Sequence, residues 1–90
     1  DDAVSRLRAH KEVEIIYPDQ GKDGLGVFVV PNAVMLIKHA THPKRAKQLI
    51  DYLLSKKSEE KLAFADCAQI PLHTGVPIPK ELKSIDTLKV

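Results

Sequence analysis

The chain has 90 residues, enough for one small domain, and its 43% hydrophobic and 29% charged residues are typical of a folded protein rather than a disordered one. Fourteen Lys and Arg residues against twelve Asp and Glu residues leave a net charge of +2, which gives little support for a nucleic-acid partner. The single cysteine, Cys67, excludes an intrachain disulfide, and no apolar run is long enough to cross a membrane as a helix.

The first quarter of the chain predicts a helix, a short strand and a loop. Residues 1–10 (DDAVSRLRAH) are acidic at the start and basic toward the end, which complements the dipole of a helix. Residues 13–17 (VEIIY) suit a short strand that Pro18 ends. The three glycines between residues 19 and 26 then predict an exposed loop.

Residues 26–37 (GVFVVPNAVMLI) form the longest apolar run and contain no charge. Their β-branched and aromatic side chains suit a buried sheet. Because Pro31 has no N–H to donate to a ladder and Asn32 tolerates turn conformations, we expect two strand segments with a bend between them.

The second half of the chain predicts helices followed by an irregular segment. Pro43 begins a segment ending at residue 55 with apolar residues at helical spacing, and we expect four of them to be buried: Leu49, Ile50, Leu53 and Leu54. Ser58, followed by two glutamates, is expected to cap a second helix. Prolines keep residues 69–79 irregular, and a short helix is expected over residues 80–85. Without a linker between these elements, residues 1–90 are interpreted as one unit.

Residues that could carry chemistry are few. His39 and His42 lie three apart, and His10 and His73 could join them in a zinc site, but this spacing is weak evidence for a metal. The glycine-rich GKDGLG of residues 21–26 precedes a predicted strand instead of opening a helix, so it is better explained as a loop than as a phosphate site. No nucleophile elbow is present. We therefore expect no enzyme activity, no metal and no cofactor.

Several stretches of the chain, taken in order, resemble a known family. These are VEIIYPDQG (residues 13–21), GVFVVPNAVMLIKHATHP (26–43), AKQLIDYLLS (46–55) and QIPLHTGV (69–76). Their succession resembles the C-terminal part of bacterial extracellular solute-binding proteins of ABC transporters, in the ferric-iron, phosphonate and sugar-phosphate group. The resemblance covers nearly the whole chain.

The resemblance implies a fold class and a function. The fold would be α/β, with short strands and amphipathic helices, and would be the C-terminal fragment of a two-lobed, type II periplasmic-binding-protein-like fold. The function would be capture of a small solute, ferric iron or an anionic compound such as a phosphonate or sugar phosphate, in a cleft between the lobes. The solute would pass to a membrane permease, and the protein would be periplasmic, or extracellular and lipid-anchored. The fragment itself could form a homo-oligomer.

The substrate-binding residues expected on this basis are Asp1, Asp2 and Gln20. The two carboxylates begin a helix, and Gln20 follows the end of a predicted strand, a position where ligands are often bound in α/β proteins. Iron-binding members of the family carry adjacent tyrosines near that helix, and this chain has none there. The alternative is a small independent α/β protein-interaction module, whose helix over residues 43–55 docks a partner.

Overall fold

The computed structural model describes residues 2–90, and its regular elements are all helical. Helix α1 spans Asp2–Arg8, α2 spans Pro43–Leu53 and α3 spans Lys56–Phe64, and a 3₁₀ helix spans Ile85–Thr87. Within residues 2–90 no segment is a β-strand. The expected α/β fold class, including the two-lobed fragment with short strands, is therefore wrong for this structure.

The predicted strands are missing because their backbones have no neighbours to pair with. Residues 27–37, called the open segment below, run without a turn or bend. At its start, the Val27 N–H donates to the Lys89 carbonyl at 2.8 Å, and at its end the Ile37 carbonyl accepts from Ala40 at 3.1 Å. Among the described residues, positions 28–36 make no backbone–backbone hydrogen bond. The bend expected at Pro31 is also absent, so β propensity alone produces no ladder here.

The first two helices begin where their sequences predict. Helix α1 has Asp2 in its first turn and Arg6 and Arg8 in its last, an arrangement that complements the helix dipole. Helix α2 has Pro43 in its first turn, where a missing N–H costs no hydrogen bond. His42 is its N-cap residue and makes no side-chain capping bond.

Helix α3 begins earlier than predicted. Its N-cap is Ser55, whose side chain accepts from the backbone N–H of Ser58 at 3.2 Å. Ser58, the expected cap, lies inside the helix and is buried. Near the C-terminus, the expected helix over residues 80–85 is also displaced: the 3₁₀ helix starts at Ile85, and the Ser84 side chain accepts from the Asp86 N–H.

The core is small. Its apolar members are Val4 of α1, Ala63 of α3, and Ala68 and Leu88 from irregular segments. Arg8 supports this packing from the end of α1, because it donates to the Ala65 carbonyl at 3.0 Å and lies 3.7 Å from the Glu81 carboxylate. We call the part of the chain held by these residues the packed region. It joins α1, α3 and the C-terminal third of the chain.

Helix α2 contributes nothing to the core. None of its residues is buried, and Leu49 is 58% exposed and Leu54, just beyond its end, 57% exposed. The expected burial of Leu49, Ile50, Leu53 and Leu54 is therefore wrong. The amphipathic spacing is typical of a helix with one apolar face, and most of that face stays uncovered in this structure.

The chain is expanded for its size. Its Cα radius of gyration is 16.0 Å, whereas a compact domain of this length has about 12 Å. It exposes 7412 Å² of surface, whereas a compact protein of its mass exposes about 5200 Å². Between Asp2 and Val90, none of the helices has the length and apolar character needed to span a bilayer. Much apolar surface thus stays uncovered.

Candidate functional site

An open groove with a volume of about 1000 Å³ lies among the described residues. Its lining is mostly apolar. Three stretches that are far apart in sequence contribute: residues 15 and 17, residues 27–34 of the open segment, and residues 67–73. Pockets of this size with mostly apolar walls and a few polar groups are typical of ligand sites. We call it the apolar groove.

Two side-chain amides join opposite stretches of the apolar groove. The Asn32 side-chain NH₂ donates to the Oε1 of Gln69. Both residues line the groove, and the bond ties the open segment to the residues that follow α3. It is the side-chain contact that positions the middle of the open segment. The remaining hydrogen-bonding capacity of the two amides can serve a polar ligand.

A carboxylate and an imidazole form the second polar cluster of the groove. Glu59 of α3 accepts from the backbone N–H groups of Leu72 at 3.0 Å and His73 at 3.1 Å. Its Oε2 also lies 2.7 Å from His73 Nδ1. Because this bond occupies Nδ1, the imidazole is held in one orientation and its Nε2 remains the nitrogen available to a ligand.

The Glu59 carboxyl stays ionised because of these bonds. Burial by itself raises its pKa, since only 17% of the side chain is exposed. The hydrogen bonds from the Leu72 N–H and from His73 outweigh burial, and the net pKa of Glu59 lies below its usual value. At neutral pH the cluster therefore presents a negative charge that three donors already share.

The structure describes two of the three predicted substrate-binding residues, Asp2 and Gln20. Asp1 lies outside the described residues. Asp2 begins α1 and lines a separate small pocket with Ser5, Arg6 and Ala9, and it is not part of the apolar groove. Asp2 and Gln20 line no common pocket among those of the described chain.

Gln20 acts as a clamp on the C-terminal segment. Its side-chain NH₂ donates to the Pro18 carbonyl at 3.1 Å and to the Lys89 carbonyl at 2.8 Å, and its Oε1 accepts from the Lys89 N–H at 2.8 Å. Both amide protons and one lone pair are thus used within the chain. The Gln20 side chain holds two segments together, and a solute would have to displace these bonds to reach it.

The histidines do not assemble. Among residues 2–90 there is no group of three or more His, Cys, Asp or Glu side chains placed to hold a metal ion. His10 and His39 instead occupy left-handed backbone conformations, with φ of 56° and 62°. Such conformations are tolerated at the ends of turns. His73 is bound to Glu59, as described above.

Cys67 also lines the apolar groove. It lies in the turn after α3 and is partly exposed. Its thiol makes a weak hydrogen bond to the Leu62 carbonyl at 3.5 Å. The bond ties the turn to the last part of α3, which is a structural use of the thiol.

Sequence reasoning missed the polar groups that do converge. Asn32, Gln69 and His73 lie inside the stretches that carry the family resemblance, but their proximity depends on how the chain folds back. Glu59 was interpreted only as a charge suited to a helix start. The sequence shows a polar residue within or beside each apolar stretch. It does not show which of these polar residues lie close together in the folded chain.

Comparison with known proteins identifies no relative: no family model, no curated protein and no solved structure matches this chain.

Proposed function

We propose that this chain contributes to the solute-capturing component of an ABC importer, with a solute that is an anionic compound such as a phosphonate or sugar phosphate, or ferric iron. The proposal places the protein outside the cytoplasm, in the periplasm or anchored by lipid at the cell surface, where it would deliver solute to a membrane permease. It concerns function only, because the α/β fold expected with it is not the fold of this structure.

One observation supports the proposal most directly. Four of the stretches that carry the family resemblance line the same groove, through Ile15 and Tyr17, residues 27–34, residues 53 and 54, and residues 69–73. Their meeting was not expected from their distance in sequence. A function that depends on these stretches would therefore act at the apolar groove.

The polar groups of the groove indicate how a solute would be held. Asn32 and Gln69 offer uncharged amide donors, and His73 offers an imidazole nitrogen oriented by Glu59. Amide N–H groups suit the oxygens of a phosphonate or phosphate, and the free imidazole nitrogen can accept from a hydroxyl group of the solute. Ferric iron would need several oxygen ligands, and within residues 2–90 no group of acidic or histidine side chains is arranged for it. The anionic solute is the better supported choice.

The test uses the protein made from its complete reading frame. Isothermal titration calorimetry against 2-aminoethylphosphonate, glucose 6-phosphate and iron(III) citrate should give saturable binding for one of them. The substitution Gln69→Ala should weaken that binding by at least about tenfold, because it removes a hydrogen bond to a charged group. Gln48→Ala is the matched control, because Gln48 is an exposed amide on α2 outside the groove.

Two results would contradict the proposal. The first is the absence of binding to all three compounds by a folded protein. The second is binding that Gln69→Ala leaves unchanged, which would place the solute away from the groove.

A protein-interaction role is the second candidate, and helix α2 favours it. Its apolar residues are exposed, including Leu49 at 58% and Leu53 at 39%. Exposed apolar residues at i and i+4 are the anchors that a partner groove accepts from a docking helix. Leu49→Lys would abolish capture of such a partner while leaving solute binding intact, which separates the two candidates.

A further inference from the structure

The open segment combines high apolarity with high exposure. Phe28 is 89% exposed, Met35 79% and Ile37 76%. Contiguous exposed apolar surface of this kind marks an interaction site in a soluble protein. The segment also contains no turn or bend. It therefore has the form of a strand that lacks a neighbour.

The backbone of the open segment is available for a ladder. Positions 28–36 make no backbone–backbone hydrogen bond within the described chain. An unpaired edge of this type accepts an additional strand. Pro31 has no N–H, which confines a regular ladder to the part of the segment after it. Residues 33–37 (AVMLI) are the longest stretch that remains.

The absence of charge favours a second copy of this chain as the added strand. No charged residue lies between Asp23 and Lys38. In an antiparallel pair centred on Met35, Val34 of one copy lies opposite Leu36 of the other, and each Lys38 lies opposite Asn32. Like charges thus never face each other across the pair, and directly opposed apolar residues stabilise it.

The exposed area is sufficient for such an association. The chain exposes 7412 Å², which is roughly 2200 Å² more than a compact protein of its mass. A standard protein–protein interface takes about 800 Å² from each partner. The excess exposed surface of one chain is therefore larger than the area that each partner of a standard interface buries.

We propose that two copies of this chain associate through antiparallel pairing of residues 33–37 about a two-fold axis at Met35. The pairing closes the unpaired edge of both copies and covers Met35 and Ile37. It does not rest on the proposed solute-binding function, and either proposal can fail without the other.

Sedimentation equilibrium over a hundredfold range of concentration tests the association. We expect a monomer–dimer equilibrium between 10.0 kDa and twice that mass. Ile37→Lys should raise the dissociation constant by at least about tenfold, because it replaces an apolar side chain of the paired strand by a charged one. Ile16→Lys is the matched control, since Ile16 is 80% exposed and lies outside the open segment. It should leave the equilibrium unchanged.

Hydrogen exchange distinguishes strand pairing from a loose apolar contact, because only strand pairing protects backbone amides from exchange. Alternate amides within residues 33–37 should become protected as the concentration rises through the dissociation constant, and those of residues 28–30 should not. A single species of 10.0 kDa at all concentrations overturns the proposal. A dimer that both lysine variants weaken equally, or that leaves residues 33–37 unprotected, overturns it as well.

Discussion

The packed region buries mostly small side chains, whereas the open segment leaves larger and more hydrophobic side chains exposed. The packed region is built from small residues, such as Ala63 at 0% exposure and Ala68 at 4%, together with Val4 at 1%. The open segment contains the most apolar run of the chain, yet Phe28 is 89% exposed. The difference teaches that burial depends on what a side chain can pack against, and apolarity only determines how much burial would stabilise it.

The two regions also differ in the hydrogen bonds that their backbone N–H and C=O groups make. In the packed region, helices and side chains provide the bonds, such as those from Leu72 and His73 to Glu59. In the open segment, bonds are found at its two ends and at the Asn32 side chain. The comparison predicts that substitutions in the packed region change stability, whereas equivalent ones in the open segment change association.

The largest effect is expected where the open segment meets the C-terminus. Gly26 has φ of +91°, and a Cβ there would lie 2.7 Å from the Lys89 carbonyl oxygen. Gly26→Ala should destabilise the protein by about 2–3 kcal/mol, because it combines backbone strain with a contact to rigid backbone. Urea denaturation measures the loss. Gly21→Ala is the control, since nothing lies within 4 Å of a Cβ at Gly21, and equal losses would contradict the contact.

A pair of valines tests the comparison itself. Val4 is 1% exposed in the packed region and Val30 is 76% exposed in the open segment. Val4→Ala should cost about 2 kcal/mol, from lost apolar burial and the cavity left behind. Val30→Ala should change the free energy of unfolding of the monomer by less than about 0.5 kcal/mol. Urea denaturation at low protein concentration measures both, and a larger loss from Val30→Ala would show that the open segment is packed.

The Glu59 cluster predicts a smaller effect that depends on pH. Glu59→Gln replaces one acceptor oxygen by a donor facing other donors, so it should cost about 1 kcal/mol at pH 7. Since the folded pKa of Glu59 lies below its unfolded value, the contribution of its charge is complete above the unfolded pKa. It is lost as the pH falls through the folded pKa. The stability difference between Glu59→Gln and the unmodified protein should therefore shrink below about pH 4, and a constant difference would contradict this account.

The smallest effect concerns the surface between α2 and α3. The Lys61 ammonium donates to the Tyr52 hydroxyl at 3.1 Å, and this bond, with the charge of Lys61, holds the pKa of Tyr52 below 10.0. Lys61→Met should raise that pKa without a measurable change in stability, because the pair is exposed. Ultraviolet titration in a Tyr17→Phe background isolates Tyr52. A pKa that does not move would show that the contact is absent in solution.

Local rules read from the sequence determined the helices of this protein. Acidic and basic ends place α1, and Pro43 with the apolar spacing after it places α2, since the start of a helix depends on residues close to one another. Ser55 shows the limit of such rules. The sequence predicted Ser58 as the cap of α3, whereas Ser55, three positions earlier, is the residue that caps it.

Tertiary structure decided the rest. A strand exists only when a second backbone lies beside it, so the apolar sequence of residues 26–37 was insufficient to form one. Burial of Leu49 and Leu53 likewise depended on a surface that α2 does not meet in this structure. The convergence of Asn32, Gln69, Glu59 and His73 on one groove arises from long-range folding of the chain, which spacing along the sequence does not encode. The bonds of Gln20 to the C-terminal segment arise for the same reason, because Lys89 lies beside Gln20 only in three dimensions.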